Sequence, residues 1–141
     1  AGGGAVRIIG DVADYLPDYQ VTTAFTSAKN AGQERGMTEA FIAAFSQGAA
    51  DYNAAMIEKT GGDAGVTEMA QLIHKYVYAD KPFETASKSI INGTMRLNEG
   101  AALNVASVRD QLDWFKAEGL VSETSSLDAL LDASYVRTIG A

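Results

Sequence analysis

The sequence predicts a mixed α/β chain in which two short strands are followed by about five helices. Three observations predict it. Two runs rich in β-branched and aromatic residues, Val6 to Val12 and Tyr19 to Thr26, flank a proline-bearing turn. From Met37 onward apolar residues recur at three- and four-residue steps, the period of a helix with one covered face. Leu103 to Val121 keeps that period most regularly and is the least ambiguous helix of the chain.

Taken in order, Ala1 to Gly4 is a loop or linker. No Lys-Ser or Lys-Thr follows its three glycines, so it is not a phosphate-cradling loop. Val6 to Val12 reads as a strand with Gly10 as a bend, and Asp14 to Asp18 (DYLPD) as a turn around Pro17. Tyr19 to Thr26 is the second strand, and polar, glycine-bearing Ser27 to Gly36 a loop. Thr38 caps a helix running to about Lys59, with Phe41, Phe45, Tyr52 and Met56 as its buried stripe, supported by Ile42 and Ala49. Gly61, Gly62 and Gly65 break it. Val66 to Tyr78 follows, with Met69, Leu72, Ile73, Tyr76 and Val77 on one face. Pro82 suits the first turn of the next helix, whose apolar side is Phe83, Ala86, Ile90 and Ile91. Asn92 to Ala102 is a loop with a short extended piece at Met95 to Leu97.

In the long helix after it, Val105, Val108, Leu112 and Phe115 share a face and Trp114 flanks it, so Trp114 and Phe115 are expected to anchor it against the helix opening at Thr38. Asn104 or Ser107 caps its start, and Arg109 and Asp113, four apart, can pair. Gly119 supplies a left-handed stop, with Leu120 folding back onto the last turn. Two strands alone make a poor independent sheet, so Val6 to Val12 and Tyr19 to Thr26 are expected to pair with a segment outside the chain or with a second copy, giving a homodimer.

Composition narrows the function classes. Eighteen acidic against 11 basic residues give a formal charge of −7, which repels a phosphate backbone and an anionic membrane surface alike. No nucleic-acid partner is expected. No run approaches the roughly 20 apolar residues that span a bilayer, and no signal-peptide pattern is read at the start. The absence of cysteine removes disulfides, thiol chemistry and cysteine-ligated metals.

Chemistry-bearing motifs are sparse. His74, the single histidine, lies inside a helix without announced partners and reads as a part-exposed helix residue rather than a general base. Asp11, Asp14 and Asp18 form a loose carboxylate group without EF-hand spacing, closer to a solvated turn than to a calcium loop. Asn92-Gly93-Thr94 matches the glycosylation sequon, a pattern short enough to recur by chance. No nucleophile elbow is present. Neither catalytic residues, a cofactor nor a metal is expected. The aromatic and polar group Asp14, Tyr15, Tyr19 and Gln20 lies between the two strands, where tyrosine hydroxyls and an amide can donate to an anionic or heteroaromatic ligand. It reads either as a hinge with surface tyrosines or as a direct ligand contact.

The run SVRDQLDWFKAEGLV, then LDALL at Leu127 to Leu131 and DASYV at Asp132 to Val136, resembles the C-terminal signature of periplasmic solute-binding proteins of the nitrate, sulfonate, taurine and thiamine-precursor ABC importers. The likeness extends back through Met95-Arg96-Leu97 to the helix at Thr38, about the second half of a typical member. It implies a type II binding-protein-like α/β fold. Residues 1–26 would end the second lobe and carry the hinge-crossing strands, and residues 27–141 would be the helical part packed on the first lobe. It further implies capture of a small organic or anionic solute, delivery to the transmembrane subunits of an ABC permease, and a periplasmic or lipid-anchored extracytoplasmic location. The family's main ligand residues lie upstream, so none carries over residue by residue. Two other classes stay open: an enzyme of the related thiamine-pyrimidine synthase branch, and an autonomous helical interaction module.

Overall fold

The computed structural model describes residues 7–140. The glycine-rich linker at Ala1 to Gly4 and the first residue of the expected strand, Val6, lie outside them. The chain is mostly helical with two short parallel strands, a mixed α/β class. In order it forms α1 (Val12–Tyr15), α2 (Ala28–Gln33), α3 (Arg35–Tyr52), a π-helical turn (Asn53–Ile57), α4 (Gly62–His74) and α5 (Phe83–Asn92). A 3-10 turn (Glu99–Ala101), β1 (Leu103–Asn104), α6 (Val105–Ala117), α7 (Leu127–Leu130) and β2 (Thr138–Ile139) complete it.

The strands are not where β propensity put them. Residues 7–11 and 19–26 form no ladder, because propensity without a partner strand leaves backbone groups unpaired, and Val12 instead opens a helical turn. Pairing falls to two-residue segments with little β signature: Leu103 aligns with Thr138 and Asn104 with Ile139, in parallel.

The chain divides into two compact units. Residues 27–102 make a helical unit. Here Ser27, expected in a loop, caps α2 by accepting the Asn30 N–H at 3.1 Å. Thr38 is not a cap: the helix begins at Arg35, and the Thr38 hydroxyl donates back to the Glu34 carbonyl at 3.2 Å. The α3 stripe is covered only in its later part. Ala49 and Met56 are buried, Met56 to 5% exposure, whereas Phe41 and Phe45 stand in solvent, stacked on each other at 6.4 Å. The π turn shifts the register of the helix, closing with the Glu58 N–H on the Asn53 carbonyl at 2.9 Å, and Lys59 ends it with φ of 52°.

The glycine break is partly helical. α4 starts at Gly62 with Asp63 in its first turn, and it stops at His74, so Tyr76 and Val77 leave the predicted face and are exposed. Its buried residues are Val66 and Ala70. α4 packs chiefly on α5, which buries Ala86 to 1% exposure; small residues let two helix backbones approach closely. Pro82 precedes α5 as its cap residue rather than sitting inside the first turn.

Residues 7–26 and 103–140 make the second unit. Its core is small: Val105 and Leu127, with Asn104 as a buried polar residue. Asn104, not Ser107, caps α6, and Gly119 ends it at φ of 67° with the Leu120 N–H returning to the Phe115 carbonyl at 2.8 Å. Trp114 and Phe115 are not core anchors. They are 56% and 39% exposed, and pack on each other edge to face at 5.3 Å. Arg109 and Asp113 are exposed and form no ion pair among the described residues.

Candidate functional site

The segment between Asp11 and Gln20 is a compact turn. The Asp11 N–H donates to the Asp14 carboxylate at 3.3 Å, the Leu16 N–H to the Val12 carbonyl at 2.8 Å, and the Tyr19 N–H to the Leu16 carbonyl at 3.3 Å. Tyr15 lies over Gly10, where an added methyl would come within 3.2 Å of its ring and hydroxyl. Asp18 then takes φ of 61°, a left-handed conformation that aspartate tolerates better than most residues.

That twist delivers the next residues to the start of α6. The Asp18 carbonyl accepts from Asn104 Nδ2 at 2.8 Å, and Gln20 Oε1 accepts from the Asn104 N–H at 3.0 Å. The Gln20 N–H donates to Ser107 Oγ at 2.9 Å, and Gln111 Nε2 donates both to the Gln20 carbonyl at 3.1 Å and to Ser107 Oγ at 3.2 Å. Gln20 Nε2 turns back to the Thr22 carbonyl at 2.8 Å. Asn104 Oδ1 meanwhile holds the Ser107 N–H at 3.1 Å. Four side chains thus form a connected network, and no buried side-chain polar atom among the described residues is left without a partner.

The four residues singled out from sequence fare differently. Gln20 is drawn into this network through its backbone and its amide oxygen, while its amide nitrogen holds the Thr22 carbonyl. Asp14 and Tyr15 are exposed, and Tyr19 is more covered but still reachable. What this segment offers a ligand is therefore two tyrosine hydroxyls and a carboxylate on a turn whose position is fixed by Gln20: recognition chemistry, by donation and acceptance of hydrogen bonds. The residues that sequence reasoning missed are Asn104 and Ser107 as partners of Gln20, together with Gln111. Their spacing is the signal: 104, 107 and 111 put three polar side chains on one edge of a helix whose other face is apolar.

Away from this segment, His74 is spoken for. Its Nε2 lies 2.8 Å from the Lys81 carbonyl, so Nε2 carries the proton, and its ring meets Phe83 edge to face at 5.5 Å. Two open grooves lie in the helical unit. One of about 590 Å³ runs beside Thr60, Gly65, Glu68 and Lys75, and another of about 460 Å³ beside Asn53, Glu58, Arg96 and Glu99. Among the described residues no three histidine or carboxylate groups are clustered as metal ligands, and no helix is long and apolar enough to cross a membrane. No family model, curated protein or solved structure matches the chain.

Proposed function

We propose that this chain is part of the substrate-binding component of an ABC importer, capturing a small organic or anionic solute outside the cytoplasm and handing it to a membrane permease. The single observation that carries the reading is the Gln20 network. It ties the tyrosine-bearing turn to α6, the helix whose Asp-Trp-Phe residues, with the Gly-Leu that follows it, carry the likeness to such proteins. On this reading the chain is the later portion of a type II two-lobed protein. Gln20 then keeps Tyr15 and Tyr19 at fixed positions beside the cleft, where a preorganised donor loses little freedom on binding. The mixed α/β class and the helix-rich 27–102 unit are compatible with that architecture.

Calorimetry against nitrate, alkanesulfonates, taurine and pyrimidine precursors tests it, using the 141-residue chain and the full gene product that contains it. Closure of two lobes buries a ligand between groups from both sides. The chain should therefore bind weakly and the full product well. Tyr15→Phe and Tyr19→Phe in the full product should weaken binding about five- to tenfold where a hydroxyl contacts the solute. Equally tight binding by the chain alone would sink the two-lobe reading. No binding of any of these solutes by either would sink the transport reading, and turnover would favour an enzyme.

A further inference from the structure

α6 presents carboxylates on an exposed face. Asp110 sits near its middle, Asp113 in its later half and Glu118 at its C-cap, with Lys116 the one cation of its last turn. Asp110, Trp114 and Glu118 are spaced four apart, so two carboxylates flank the indole along one row of the helix. All three are exposed and none forms an ion pair among the described residues. Phe115 and Leu120, also exposed, widen the apolar surface next to Trp114. The setting is acidic well beyond the row: residues 110–132 hold six carboxylates and one lysine. An exposed tryptophan between two like charges on one helix row is a local conflict, and such conflicts concentrate where a surface is used.

We propose that the Asp110–Trp114–Glu118 row of α6 is a docking surface for a cationic amphipathic helix of a partner protein. Charge complementarity selects that occupant. Lysine or arginine on the incoming helix would neutralise Asp110 and Glu118 and lie over the indole face, the best cation–π acceptor among side chains. Its apolar residues would cover Trp114, Phe115 and Leu120, in the manner of helix recognition by an apolar surface with a charged rim. A second copy of this acidic chain or an anionic membrane offers the wrong sign. The inference concerns the face that α6 exposes in this chain, and its readout is separate from that of the transport reading, since it uses neither Tyr15 nor Tyr19.

Trp114 is the only tryptophan, so its emission reports this surface alone. The intact chain is titrated with a helical leucine–lysine peptide and with its counterpart carrying glutamate for lysine. The lysine peptide should shift the emission to the blue, salt should weaken its binding, and the glutamate peptide should do nothing. Asp110→Asn with Glu118→Gln should weaken binding about tenfold, while Glu68→Gln with Glu84→Gln, an equal change of net charge in the helical unit, should change it less than about twofold. No shift, an equal shift with both peptides, an equal loss in the two double variants, or a shift produced by raising the chain concentration or by adding lipid vesicles alone would overturn the proposal.

Discussion

Asn53 pairs with Leu97 as one strand residue pairs with another. Its Nδ2 donates to the Leu97 carbonyl at 2.8 Å and its Oδ1 accepts the Leu97 N–H at 3.0 Å, with Asn53 only 7% exposed. The π turn aims this amide at the 93–102 connection, and the exposed Arg96–Glu58 pair at 3.4 Å adds little, as surface ion pairs do. Asn53→Ala leaves both Leu97 backbone groups without these partners and should destabilise by about 1–3 kcal/mol. Hydrogen exchange at the Leu97 amide should quicken more than at amides within α4. Unchanged protection of Leu97 in the variant would show that the connection is held by something else.

The end of β2 leaves no room for a side chain. Gly140 has φ of 68°, and an added methyl would sit 2.6 Å from Asn104 Oδ1 and 3.0 Å from the Ala106 Cβ. Gly119 has nearly the same φ, 67°, but open space around it. Gly119→Ala should therefore cost only the left-handed penalty, about 1–2 kcal/mol. Gly140→Ala should cost more, because it also crowds the α6 cap. Urea unfolding of the two variants separates strain from clash, and equal losses would remove the clash from the account.

How much of this was legible in the sequence follows from which physical signals are local. Helix period and caps are local, so the sequence places α3, α4, α5 and α6 within a few residues, and the position of Gly119 alone marks a stop. Ser27 carries an equally local cap signal, masked by the polar, glycine-bearing composition around it, which favours a loop. Strand formation is not local. Tyr19 to Thr26 has the propensity without a partner, while Leu103 and Thr138 have a partner without the propensity. Burial is less local still: Phe41 and Met56 share one periodic stripe, and only packing decides that Met56 is covered and Phe41 is not. At the candidate site the chemistry of Gln20 is visible in the sequence, but the partners that occupy it, Asn104 and Ser107, lie more than 80 residues away.

The Gln20 network invites a double-mutant cycle. Ser107→Ala removes the acceptor shared by the Gln20 N–H and the Gln111 amide, and Gln111→Ala removes the donor to the Gln20 carbonyl. Each should cost about 0.5–1.5 kcal/mol, and because the two share partners their effects should fall short of additive by at least about 0.5 kcal/mol. Fully additive losses in thermal unfolding would mean that the bonds act separately rather than as one clamp.

The two aromatic-rich helices finally separate a core residue from an exposed one. Met56 is 5% exposed at the π turn, so truncation to alanine leaves a cavity among rigid neighbours, and Met56→Ala should destabilise by about 2–5 kcal/mol. Phe115 lies on α6 with 39% of its surface in water and with exposed Trp114 as its ring partner. Its loss opens no closed cavity, and alanine is the better helix former, so Phe115→Ala should cost no more than about 1 kcal/mol. Chemical denaturation of both variants gives the comparison directly. Should Phe115→Ala prove as damaging as Met56→Ala, the exposed face of α6 must be covered in solution, and titration of the wild-type chain with the lysine peptide would then leave Trp114 emission unmoved.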